Sequence, residues 1–229
     1  MGTPTCHAAE AKVGGMAGAI PFVFIVDDDI SVRESIEFLV EESGWRSEVF
    51  GSAQEFLACQ RPASPSCLIL DVGLPDLDGL EVQRRIAGNC GEMPIIFVTG
   101  RADVRVSVQA MKAGAVEFLT KPFSPQALRD AVSDAVERSR AFLEEKERQV
   151  ALRDLYRSLS PREREVMGLV VRGHLNKQVA GVLGISEITV KAHRGRVMRK
   201  MRAGSLPDLV ISAVRLGSIV HGNRQDETC

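Results

Sequence analysis

The amino-acid sequence predicts two joined domains. The first is an α/β domain with a doubly wound sheet of five parallel strands, and the second is a smaller all-α domain reached through a helical linker. Three observations predict this. Continuous apolar runs alternate with helical patterns along the front of the chain, as in a parallel sheet covered on both faces. Polar residues stand where four of those runs end. Charge is also divided: the 229 residues carry a net −1, yet Ala151 to Cys229 holds 14 Lys/Arg against 7 Asp/Glu, leaving 15 against 23 before it. The resulting balances, +7 behind and −8 in front, point to different partners, the basic rear being the one suited to a polyanion.

Taken in order, Phe22 to Val26 is a strand, and VDDD closes it with three carboxylic acids. From Ser31 to Ser43, Val32, Ile36, Leu39 and Val40 recur at helical spacing, and Gly44 stops the helix. A weak strand near Glu48 to Phe50 and a short helix over Ala53 to Cys59 follow. CLILDV is a fully apolar strand ending in Asp71, and the loop GLPDLDG leads into a helix over Leu80 to Ile86. Ile95 to Gly100 is the fourth strand, Val104 to Met111 a helix, and VEFLTKPF carries the fifth strand.

From Ser124 a long helical pattern places Leu128, Val132, Ala135 and Phe142 on one face. That stripe gives out in EEKERQ, where Glu144 and Arg148 can pair at i, i+4. Too few clean heptads remain for a coiled coil, so this is a helical linker, available to touch its twin in a dimer. Behind it, LSPRERE carries a capping box in Ser160 and Glu163 with Pro161 at the first helical position. Three or four short helices follow, broken at Gly173, Gly184 and Gly204. The predicted limits are a flexible leader at 1–20, the sheet domain at 21–137, the linker at 138–157, the helical domain at 158–221 and a tail at 222–229.

Hydrophobic content of 45% with 26% charged residues is that of a globular protein, and no apolar run reaches the ~20 residues that cross a bilayer. The leader lacks the basic start and apolar centre of a secretory signal, so a cytoplasmic location without membrane attachment is expected. Five scattered cysteines without a Cys-x-x-Cys pair argue against a metal or disulfide framework.

Several acids at one strand end repel each other unless something positive sits among them. Asp27 and Asp28 end the first strand, Asp71 the third, Thr99 the fourth and Lys121 the fifth, and a doubly wound sheet brings these ends to one edge. Carboxylates held together make a hard oxygen site of the kind Mg²⁺ occupies with water and phosphate oxygens. A lysine ammonium and a threonine hydroxyl beside it suit an incoming phosphoryl group, with Asp71 as nucleophile. Asp29 is expected to cap the first helix.

VDDD, LILDVGLPDLDG, FVTGR and VEFLTKPF, in this order over about Phe22 to Val136, resemble the flavodoxin-like receiver domain of two-component response regulators. The resemblance implies Asp71 as phospho-acceptor. It also implies Asp28, Asp71 and the Gly73 carbonyl as Mg²⁺ ligands, with Asp27 assisting through water. Thr99 is expected to bond the phosphoryl oxygen, Lys121 to form its ion pair, and Phe118 to be the aromatic that packs inward on phosphorylation. The Lys121–Pro122 bond is expected to be cis, and no organic cofactor is expected. Leu74 replaces the methionine common after the acceptor strand, a volume-conserving change.

NKQVAGVLGISEITVKAHRGRVMRKM reads as helix, turn at Gly184, helix. Val190, Val197 and Met201 share one face of the second helix, with His193 beside them. Ile188, Ala192, Gly195 and Arg199 lie opposite, flanked by Lys191 and Arg196. An amphipathic helix with a cationic outer side suits the DNA major groove. With LSPREREVMGLVVRG before it and SLPDLVISAVRLG after it, the segment resembles the four-helix LuxR-type module of NarL/FixJ response regulators. That resemblance implies contacts at Lys191, Ala192 and Gly195. Base readout is then expected from Lys191, Arg194 and Arg196, apolar contact from Ile188 and Ala192 beside Thr189, and phosphate contact from Arg199, Lys200 and Arg202. His193 is expected to pack or to face a phosphate.

The resemblance implies transcription regulation, activation being commoner among relatives, with a sensor histidine kinase, promoter DNA, a second copy on phosphorylation and RNA polymerase as partners. A rival is a haloacid-dehalogenase-type phosphatase with Asp27 as nucleophile and Asp29, Thr99 and Lys121 in its other motifs. It leaves Asp71 idle and lacks the expected glycine-aspartate loop, Asp130 and Asp134 lying on a helix instead.

Overall fold

The structure is a computed structural model and describes residues 20–62, 64–88, 93–100 and 104–226. The predicted leader up to residue 19, the last three residues of the predicted tail, Arg101 and Cys6, Cys90 and Cys229 lie outside the described residues. The chain divides between Glu144 and Glu145 into two compact units.

In the first unit, β1 (Phe22–Val26), β2 (Arg46–Phe50), β3 (Ser66–Asp71), β4 (Ile95–Thr99) and β5 (Glu117–Thr120) form one parallel sheet in the order β2-β1-β3-β4-β5. Between them run α1 (Ile30–Glu42), α2 (Ala53–Ala58), α3 (Gly79–Gly88) and α4 (Val104–Lys112). Because successive strand residues face opposite sides, one apolar run supplies two cores. Phe24, Leu68, Leu70 and Phe97 pack with Phe56, Val82 and Ile86 on one face. Val23, Ile25, Ile69, Ile96 and Val98 pack with Ile36, Val40, Leu128 and Val132 on the other. This two-sided burial is why the strands read as unbroken apolar runs rather than alternating ones.

The predicted helix after the fifth strand and the predicted linker form one helix, α5 (Pro125–Arg157). Its first half buries Leu128, Ala131, Val132, Ala135, Val136 and Ser139. Ser139 Oγ accepts the first backbone N–H of β3, from Ser66, at 3.0 Å. Beyond the stripe Arg148 pairs with Glu145 at 3.0 Å.

Four helices make up the second unit's core: α6 (Pro161–Val170), α7 (Asn176–Leu183), α8 (Glu187–Lys200) and α9 (Leu206–Asp226). Val166, Val170, Val179, Val190, Val197, Met201 and Leu209 are buried together. The capping box at Ser160 and Glu163 is present with Pro161. Gly173 and Gly184 break the helices with φ of 89° and 64°, as glycine allows without a Cβ penalty. Gly204 falls in the break between α8 and α9, as expected, and the residue in the left-handed region there is Arg202, at φ 51°. The cysteines also depart from expectation. Cys67 is a free thiol that burial pushes up to about 12, but Cys59 is disulfide-bonded. No described helix is long and apolar enough to cross a membrane.

Candidate functional site

The sheet order sets the site. β1 and β3 are neighbours, and their following helices diverge to opposite faces, which opens a crevice at the carboxyl ends of the strands. Asp27 follows β1, Asp71 ends β3, Thr99 ends β4 and Lys121 follows β5. Asp27, Asp71 and Thr99 are buried, with 1%, 7% and 6% exposure. Asp28 and Asp29, next along the chain, are exposed.

The positive group that the three acids call for is Lys121. Its ammonium bonds Asp27 Oδ2 and, at 3.0 Å, Asp71 Oδ1. Burial works against the charge on this lysine, but its hydrogen bonds to Asp27 and Asp71 outweigh that and raise its pKa. Asp27 is pushed above the usual carboxylate range by burial, against the opposing pull of Lys121. Its other oxygen accepts the Asp29 N–H at 3.0 Å, and Arg33 bonds its carbonyl. Both oxygens of Asp27 therefore accept from protein donors, one from the Asp29 N–H and one from Lys121. Asp29 caps α1, accepting the Ser31 N–H at 2.8 Å.

Asp71 Oδ2 accepts the Gly73 N–H at 2.7 Å, so the carboxylate is fixed by a backbone donor on one oxygen and an ammonium on the other. The loop after it is anchored at both ends. Asp76 accepts the Ala53 and Gln54 N–H groups at the start of α2, at 3.3 and 3.0 Å, and Asp78 accepts the Leu80 N–H at 3.0 Å. At Gly79 a Cβ would meet the Asp71 carbonyl oxygen at 3.0 Å and the Phe97 ring at 3.1 Å, so glycine permits this approach. The Lys121 N–H bonds the Thr99 carbonyl at 2.7 Å, which holds the residue at the end of β4, and the Lys121–Pro122 bond is cis, as expected. Phe118 is half-buried, its ring 6.3 Å from that of Phe97.

Among the described residues no group of three or more His, Cys, Asp or Glu side chains is arranged to hold a metal. The expectation of three gathered carboxylates is corrected accordingly, because Lys121 stands between Asp27 and Asp71. The donors that remain, Asp71 and Asp28 with a backbone carbonyl, still suit Mg²⁺, which takes one or two protein carboxylates and fills its octahedron with water and phosphate oxygens.

The second unit presents α8. Ser186 caps it, accepting the Thr189 N–H at 3.1 Å, and Val190 and Val197 hold its inner face. Ile188, Lys191, Ala192, Gly195, Arg196 and Arg199 are exposed, Ile188 to 80%. Thr189 is half-buried. Arg194 is half-buried too, and donates to Asn176 Oδ1 of α7 at 3.2 Å. Lys200 departs from the phosphate-facing expectation: it bonds the buried Glu163 at 2.7 Å. His193 is half-buried with its Nδ1 enclosed, which favours the packed reading over a phosphate contact.

Two family models match the chain. A response regulator receiver domain covers residues 23–133, and the luxR family of bacterial regulatory proteins covers residues 157–213. The chain belongs to the two-component response regulators. It is 48% identical to nodulation protein W of Bradyrhizobium diazoefficiens over 206 residues, covering 90% of each chain. It is 42% identical to the response regulator protein TodT of Pseudomonas putida over 213 residues, covering 93% of this chain and 94% of that one. Among solved structures, the response regulator StyR matches with a TM-score of 0.78 at 43% identity, over 86% of this chain and all of the other. This response regulator thus couples a receiver to a LuxR-type DNA-binding domain and regulates transcription in a two-component system. Its family works with a sensor kinase and DNA rather than as a conventional enzyme, and the phosphatase reading finds no support in any of these matches.

Three features of the regulator's sites were not anticipated from sequence: the Asp76 cap on α2, the Arg194–Asn176 bond and the Lys200–Glu163 pair. Asp76 carried a local signal, an Asp in a Pro-containing loop, but its helix lies 22 residues earlier.

Proposed function

We propose that Asp71 takes a phosphoryl group from the histidine of a sensor kinase, and that this drives the response regulator onto promoter DNA as a homodimer. The observation that carries the reading is the Lys121 ammonium shared between Asp27 and Asp71. The Asp71 carboxylate is held in place for attack by that ammonium and by the Gly73 N–H. Its oxygen forms the new O–P bond as the N–P bond of the donor breaks. Lys121 then follows the charge from Asp71 Oδ1 to a phosphoryl oxygen, leaving its second bond to Asp27 in place. Asp28, Asp71 and the Gly73 carbonyl would hold Mg²⁺, with Asp27 behind them; when bound, the ion neutralises charge building on the transferred group.

Thr99, buried at the end of β4, is the hydroxyl assigned to a phosphoryl oxygen, and Phe118 on the neighbouring strand is the residue that would move with it. Pairing two receivers raises the effective concentration of two recognition helices at adjacent half-sites. On each α8, Lys191, Arg196 and Arg199 would meet phosphates and bases, with Ile188, Thr189, Ala192 and Gly195 at the groove. Arg194 would join them through the guanidinium donors that Asn176 leaves. RNA polymerase is the final partner. The domain limits proposed are 21–137 for the receiver and 158–221 for the DNA-binding part, joined by a linker at 138–157.

The test is labelling by acetyl phosphate with Mg²⁺. Asp71→Asn is expected to abolish it, and chelation of Mg²⁺ to abolish it in the parent; normal labelling of Asp71→Asn rejects the acceptor assignment.

A further inference from the structure

α8 ends on a partly exposed lysine bonded to a buried acid. Lys200 Nζ donates to Glu163 Oε2 at 2.7 Å and to the Ser158 carbonyl at 3.0 Å. Glu163 is only 4% exposed, and the same oxygen accepts the Ser160 N–H at 2.9 Å, while Ser160 Oγ caps the Glu163 N–H. Ser158 and Ser160 belong to the joint between α5 and α6. Arg164 bonds the Arg157 carbonyl of that joint at 3.0 Å. One buried carboxylate therefore ties three things together: the start of α6, the joint behind the linker helix and the last turn of α8. A carboxylate so enclosed is costly to leave unpaired, because its oxygens have little access to water.

We infer that Lys200 is a positioning residue that latches the end of the recognition helix to the α5–α6 joint through Glu163 and Ser158, and is not a phosphate contact. Movement of the joint is then transmitted to α8, since the Ser158 carbonyl cannot shift without carrying Lys200 or losing it. The inference rests on α8 being the helix that reads DNA, so Lys191→Ala serves as a separate check on that point.

The experiment measures affinity against salt concentration, with the full chain and a duplex that the parent protein selects from a random-sequence pool. A phosphate contact contributes about 0.9 to the slope of log affinity against log salt, whereas a positioning residue contributes nothing to it. Lys200→Met is expected to weaken binding about tenfold at every salt concentration with the slope unchanged. Glu163→Gln keeps the capping box, because a glutamine oxygen also accepts the Ser160 N–H, but it loses the charge. Removing an acid from a DNA-binding domain favours binding on charge grounds alone. The latch instead makes Glu163→Gln weaker than the parent, with thermal melts showing both variants folded. A slope lowered by about one in Lys200→Met, or a Glu163→Gln affinity equal to or above the parent's, overturns the inference. If Lys191→Ala binds with parental affinity and slope, α8 is not the reading helix and the latch falls with it. If Lys191→Ala weakens binding and Lys200→Met does not, the latch alone fails.

Discussion

The receiver crevice and the outer face of α8 both gather charge, in opposite ways. In the crevice three ionisable side chains share hydrogen bonds, Asp27 Oδ2 and Asp71 Oδ1 both accepting from the Lys121 ammonium. On the outer face of α8, Lys191, Arg196 and Arg199 are exposed to water, and the pairing of Lys191 with Glu187 at 3.4 Å is of a kind worth little. The difference follows from the tasks. Chemistry on a phosphoryl group needs charges fixed before the reaction, whereas a polyanion is met by charges free to reach it. Enclosed charge is therefore costly to disturb and exposed charge cheap.

Removing an ammonium from each region sharpens the contrast. Lys121→Met leaves Asp27 buried and unpaired. Breaking a fully buried pair costs about 3–5 kcal/mol, and since the lysine keeps 21% of its side-chain exposure, about 2 kcal/mol is expected. Trp45, the single tryptophan, packs against the receiver core and reports this in a denaturant titration. Adding Asp27→Asn should recover part of the loss, and a double variant no more stable than Lys121→Met would break the comparison.

Gly79→Ala tests the crevice from its backbone side. A Cβ at 3.0 Å from the Asp71 carbonyl forces a shift, for a cost of about 1–2 kcal/mol together with slower acetyl phosphate labelling. A variant as stable and as reactive as the parent would mean the loop gives way freely.

On the exposed side, Lys191→Ala is expected to change stability by under about 0.5 kcal/mol. It should lower the salt slope of DNA binding by about 0.9. A large stability loss would show that this face is not the solvated one.

The smallest effect is acid dependence in the second unit. The Lys200 hydrogen bond holds Glu163 below the usual carboxylate value of 4.5. A depressed carboxylate stabilises the fold above its unfolded value and loses that contribution as pH falls through the folded one. The stability gap between the parent and Glu163→Gln should thus be constant near neutrality and close below about pH 4.5. A gap that widens on acidification reverses the sign and rejects the pairing.

Much of this was legible along the chain. Unbroken apolar runs announced strands buried on both faces, and SPRE announced a helix start, because those signals are local and each is enforced by backbone chemistry. Polar residues at the strand ends marked the crevice before any contact was known. What could not be read was which charge would meet which. Lys121 lies 94 residues from Asp27 and 50 from Asp71, and three acids in a row say nothing about a lysine that the sheet order brings between two of them. Lys200 misled for the same reason. By pattern it belongs with the outward cations, yet Glu163, 37 residues earlier, binds its ammonium.

The sequence by itself determined the elements, the two cores and the residue types at the strand ends, since periodicity and capping act within a few residues. Tertiary structure alone decided the partners: Lys121 with its two acids, Asp76 with α2, Lys200 with the joint. Such pairings depend on the order of strands and the crossing of helices, which decide whether a partly buried charge meets an opposite charge or a like one.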